Sequence, residues 1–163
     1  MSYSRRDLLK HGVGINIITL SGCMQKSEQD IARENTAEFW NAHDEEFHNA
    51  QQKIDSGIDS YDLGFYSRSQ EKGRQAQQEY QTLRMLSSNR ADSSESEHER
   101  ELIQLIVGIA NHGRIAAGEL MDASALSRRE NPPTGRIQEH ENNIDANMNQ
   151  QSQMVNELIS RLE

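Results

Sequence analysis

The chain carries only two prolines, adjacent at Pro132-Pro133, and this constrains its fold more than any other feature. About a hundred residues without proline, with apolar side chains recurring at steps of three and four, read as long amphipathic helix. The first helix is expected from near Ser27 to Ser56. Ser27-x-x-Asp30 has capping-box spacing, Thr36, Trp40, His43, Phe47, Ala50 and Ile54 share one stripe, and Gly57 supplies a stop. A second, about Asp59 to Ser88, carries Phe65, Ser69, Gly73, Ala76, Tyr80, Leu83 and Leu86. The run ADSSESEHERE contains Ser94-x-x-Glu97, and its acids suit the positive end of a helix dipole, so it opens the third helix. That helix continues through Leu102, Leu105, Ile106, Ile109, Ala116 and Leu120 to about Arg128. RENPPTGR is the clearest break, and Thr134 can cap a fourth helix with Ile137, His140, Ile144, Met148, Gln151, Val155, Leu158 and Leu162 at heptad-like spacing.

Four stripes of similar length joined by short turns imply an all-α, antiparallel up-down four-helix bundle. Elongated coiled-coil hairpins pairing in a homo-oligomer are the alternative, because the core is sparse. Of 163 residues, 34% are hydrophobic and 5% aromatic, enough for one domain with a thin core. Gly108, Gly113 and Gly118, with Ala110 and Ala117, would let a neighbouring helix come close. The third helix is the most apolar part of this region, but Gln104, Asn111, Arg114 and Glu119 interrupt it. A charge at the centre of a bilayer costs about 2.5–3.5 kcal/mol, so it does not read as a membrane span.

The formal charge is −9, from 17 basic and 26 acidic residues, with no basic cluster; nucleic acid is therefore a poor partner. Such an acidic, lysine-poor surface is compatible with a protein that works in strong salt. Cys23 is the single cysteine, which excludes an intrachain disulfide and a multi-cysteine metal site. It ends the stretch SRRDLLKHGVGINIITLSGC, residues 4–23. There Arg5, Arg6 and Lys10 form a positive region, and residues 12–19 form an apolar run about half the ~20 residues that a bilayer-spanning helix needs.

These residues resemble a twin-arginine signal, with Leu8 where phenylalanine is commoner, and Leu20-Ser21-Gly22-Cys23 resembles a lipobox. Together they look most like the exported lipoproteins of halophilic archaea. The resemblance implies recognition of Arg5 and Arg6, cleavage between Gly22 and Cys23, and a covalent lipid on the Cys23 thiol. Residues 1–22 would then be a removed signal peptide, 23–29 a lipidated tether and 30–163 the bundle. Loss of Arg5, Arg6 and Lys10 against Asp7 removes two net positive charges, taking −9 to −11. An anionic body is repelled by an anionic membrane, so the lipid must do the anchoring, and two acyl chains hold stably where one does not.

Two constellations suggest a cofactor. Glu45-x-x-His48 and Glu95-x-x-His98 have the spacing of ferritin-like di-iron bundles, but the two histidines are expected about three turns apart in height. His43, His112 and Met148 fall near mid-bundle, where imidazole and thioether would suit copper or a haem iron. A histidine or methionine on an apolar stripe also serves as ordinary core. C-x-x-C-H, G-x-S-x-G, H-E-x-x-H and a phosphate-cradling glycine loop do not occur, so no catalytic residue is singled out. The expected function is a membrane-anchored, extracytoplasmic, helical interaction or structural module meeting another membrane-surface protein. A metal- or haem-binding bundle is the alternative.

Overall fold

The computed structural model describes residues 26–163; Arg5, Arg6, Gly22 and Cys23 lie outside them. Four helices follow in order: α1 Glu28–Asp62, α2 Tyr66–Ser93, α3 Glu97–Ser127 and α4 Thr134–Leu162. At 1.5 Å per residue they are about 42–52 Å long. Contacts between helices fix their directions. Asn35 bonds Glu99 at one end and Tyr61 meets Ser127 at the other, so α1 and α3 run the same way. Gln51 meets Tyr80, and Gly57 lies against Ser69 and Lys72, so α2 runs opposite to α1. His140 pairs with Glu119, and Met154 lies on Gly108, so α4 runs opposite to α3. The fold is an up-down four-helix bundle. It is lopsided: α3 packs on all three other helices, while α1 and α4 barely meet.

Small residues bring the helices together. Ala32, Ala37, Ala50, Ala76, Ala110, Ala116 and Ala117 are buried, and the largest fully buried side chains include Tyr80, Ile54, Leu83, Leu102, Ile103, Ile106, Ile109, Leu120 and Leu158. Thr36, Ser60 and Ser87 lie inside as well, each hydroxyl donating to a carbonyl one turn back: Ala32, Ser56 and Leu83. A core hydroxyl satisfied by its own helix costs little to bury. Ser124 reaches across from α3 and donates to Ser69 of α2 over 2.9 Å.

The expected α1 cap is present, with the Ser27 hydroxyl accepting from the Asp30 amide and the Asp30 carboxylate accepting from the Ser27 amide. Other boundaries differ from expectation. Gly57 does not end α1, which continues to Asp62. It is buried where α1 meets α2 and α3, and a Cβ there would lie 2.7 Å from Leu120 Cδ2 and 3.2 Å from Lys72 Cβ. The stop is at Leu63-Gly64, where Gly64 takes a positive φ of 76° that glycine adopts without strain. α2 consequently starts at Tyr66 rather than Asp59 and runs to Ser93 rather than Ser88. Phe65, expected on its stripe, sits in the turn 58% exposed, and Leu86 is 39% exposed.

The cap of α3 is Ser96, not Ser94. The Ser96 hydroxyl accepts from the Glu99 amide, while Ser94 ends α2 and donates to the Ser96 carbonyl. Replacing Ser96 with Ala should therefore lower the unfolding free energy by about 1 kcal/mol in a urea titration. An unchanged midpoint would show that the hydroxyl contributes nothing. Thr134 does not cap α4 either; it is the first helical residue, after Pro133, and no side chain caps that end.

Candidate functional site

The most ordered polar arrangement lies at mid-height and draws on all four helices. Tyr80 of α2 is fully buried, and its hydroxyl donates to Gln51 Oε1 of α1 over 3.1 Å. Gln151 of α4, 2% exposed, also bonds the Tyr80 hydroxyl, and its Nε2 donates to the Ile109 carbonyl of α3. Gly113 makes this meeting possible. A Cβ on Gly113 would lie 2.4 Å from both Gln151 Nε2 and Tyr80 Cζ, so only glycine leaves room for both side chains. Burial pushes the Tyr80 phenol far above its ordinary range, so it stays a neutral donor. With hydroxyl and amides mutually bonded, this layer fixes the register of the four helices. Phe47 closes one side of it, its ring 6.2 Å from that of Tyr80.

A second feature lies where α1 and α3 begin and α2 ends. A cleft there of about 560 Å³ is lined by Lys26, Ile31, Asn35, Arg90, Ser94 and Glu99, among others. Glu99 is 5% exposed, pairs with Arg90 at 2.5 Å and accepts from Asn35 Nδ2 at 3.3 Å. This pair ties α1, α2 and α3 together. The opposite end carries the α1–α2 turn, with Leu63 71% and Phe65 58% exposed, beside Arg68 and Arg128.

The histidines are spread along the bundle. His43 of α1 packs against Phe39 with the rings tilted and their centroids 4.7 Å apart, and Glu46 lies 3.8 Å from its Nδ1. His112 of α3 donates through Nδ1 to Asn147 Oδ1 at 2.9 Å, and Asn147 donates in turn to the Asn143 carbonyl. Met148, next along α4, packs partly buried against the core. The Asn35–Glu99 register places His43 opposite residue 107, so His112 lies about 7 Å further along. His48 donates to its own helix, at the Asp44 carbonyl. The same register separates His48 from His98 by fourteen residues, about 21 Å, and Glu95 lies in the turn before α3. The Glu-x-x-His pairs thus stand at different heights. Among the described residues, no group of three or more His, Cys, Asp or Glu side chains is placed to hold a metal ion. Nor is any helix among them long and apolar enough to cross a membrane.

The central layer was only partly visible in the sequence. Gln151 was readable as a polar member of an apolar stripe, and Gly113 as a place of close approach, but Gln51 has no local signal connecting it to either. Compared with known proteins, the chain matches no protein-family model, no curated protein and no solved structure.

Proposed function

We propose that this protein is a lipid-anchored module on the extracytoplasmic face of the membrane, acting by non-covalent contact through its helical bundle. The observation that carries the reading is the closeness of the SRRDLLK and LSGC motifs to a firmly started helix. Cys23 precedes the first residue of α1 by five positions, and Ser27 and Asp30 cap that helix from both sides. Five residues span at most about 18 Å. A lipid on Cys23 would therefore hold near the membrane the end of the bundle at which α1 and α3 start and α2 and α4 finish. The exposed Leu63–Phe65 turn would stand about 50 Å further out, at the far end of a 35-residue helix. Apolar side chains presented on a rigid stem in this way suit contact with another membrane-surface protein.

The test is fractionation of cells carrying the parent chain or Cys23→Ser, with intact mass of the purified product. The parent should sit in the membrane fraction, begin at Cys23 and carry the mass of a lipid. The Cys23→Ser variant should lose most of its membrane retention while keeping the helical circular dichroism of the parent. Full-length protein with no added mass, equally distributed in both cases, would overturn the reading.

A further inference from the structure

α4 is the outermost helix: it packs on α3, barely reaches α1, and has only Ile144, Gln151 and Leu158 buried. Its outward face has the same four-three spacing as an inward one. Asn142, Ala146, Asn149, Gln153, Asn156 and Ser160 are all exposed and lie on one stripe. None is charged, and no charged residue occurs from Ala146 to Asn156, in a chain of which 26% is charged. By contrast, the outward side of α1 presents Glu38, Glu45, Glu46 and Asp59.

We propose that a second copy of this chain occupies this seam, with the two α4 helices parallel and in register. The argument for a second copy is chemical. A side-chain amide both donates and accepts, so it can pair with its own image, whereas a carboxylate repels its own image. In a parallel heptad pair Asn142, Asn149 and Asn156 meet their counterparts on one set of seam positions, and Ala146, Gln153 and Ser160 on the other. Along the flanks of this span Asp145 faces Gln150 of the second copy and Glu157 faces Ser152; the one carboxylate of α4 that meets its own image is Glu139, a single seam step before Asn142. On so acidic a molecule, an uncharged strip is where two copies can approach without repulsion. The parallel sense rests on the lipid-anchor reading, because it sets both Cys23 ends at one membrane; antiparallel helices would put them at opposite ends, about 40 Å apart. An amide seam is weak but specific in register, and confinement to a membrane raises the effective concentration that it needs.

The test uses the full chain in its native membrane with Cys23 kept, since a lipidated thiol cannot oxidise. Single variants Asn142→Cys, Asn149→Cys and Asn156→Cys are oxidised mildly and run on non-reducing gels beside Gln52→Cys and Gln78→Cys, which are exposed on α1 and α2. All three seam variants should give several-fold more disulfide dimer than the two controls. Adding Asn149→Asp and Asn156→Asp to the Asn142→Cys chain should cut its dimer several-fold, with circular dichroism unchanged. Dimer no greater than in the controls would overturn the proposal. So would dimer formed only when Asn149→Cys and Gln153→Cys chains are mixed, which is the antiparallel result. Dimer from the parent chain would show a free Cys23 and count against the anchor alone; the same variants in a Cys23→Ser chain then decide the pairing.

Discussion

Tyr80→Ala is expected to lower the unfolding free energy by about 3–5 kcal/mol, the range for deleting a large buried ring. Few single changes should cost this bundle more. The ring is fully buried, lies against Phe47 and fills the space that Gly113 leaves open. Its loss opens a cavity at the level of Gly113, where the opposing residue has no side chain to fill it. The hydroxyl goes too, leaving Gln51 Oε1 and Gln151 without their shared partner. Since a whole domain is stable by only about 5–15 kcal/mol, the variant should be marginal at room temperature. Tyr80→Phe separates the two contributions, keeping the ring and losing the hydroxyl, at about 1 kcal/mol. Urea unfolding followed by circular dichroism gives both values. A loss below 1 kcal/mol for Tyr80→Ala would mean that the central layer does not hold the helices together.

Gly113→Ala tests the same place by adding a methyl group rather than removing a ring. Elsewhere on an exposed helix this change stabilises by about 1 kcal/mol through helix propensity alone. Here the new Cβ would stand 2.4 Å from Tyr80 Cζ and 2.6 Å from Tyr80 Cε1. Gln151 Nε2, also 2.4 Å away, is the end of a flexible chain and can swing aside only by giving up its bond to the Ile109 carbonyl. Overpacking of this kind costs about 1–3 kcal/mol, so a net loss is expected despite the propensity gain. The two substitutions should also couple. In the Tyr80→Ala background the clash with the ring is gone and Gln151 Nε2, the one close neighbour left, has the vacated space to move into, so the cost should shrink or change sign. Strict additivity of the two in a double-mutant cycle would show that Tyr80 and Gly113 do not share one space.

How much of this was legible follows from where each signal resides. The four stripes were readable because helix periodicity is local, and the proline pair left one place for the last turn. Boundaries failed where one residue type has two uses. A glycine marks either a helix stop or a close approach, and only Leu120 and Lys72 against Gly57 show that it is the second. Ser94-x-x-Glu97 and Ser96-x-x-Glu99 both fit a capping signature, and the choice falls to Ser96 because α2 extends to Ser93. Phe65 looked like core by spacing, yet a three-residue turn leaves it in solvent. The Gln51–Tyr80–Gln151 layer joins residues 29 and more positions apart, and no short-range pattern announces such a meeting. The histidines near mid-bundle matched in approximate height, but side-chain direction sends them to Phe39 and Asn147.

The central place of α3 also decides where this sequence is free to drift. Thirteen of its residues are buried against three in α4, and it alone packs closely on all three other helices. A substitution on α3 must satisfy three neighbours at once, so nearly every inward position there is constrained by volume. One on α4 answers mainly to a single neighbour. Over many generations, descendants of this chain should keep the small-residue face of α3 while rewriting much of α4, and a surface that can be rewritten cheaply is where new contacts arise.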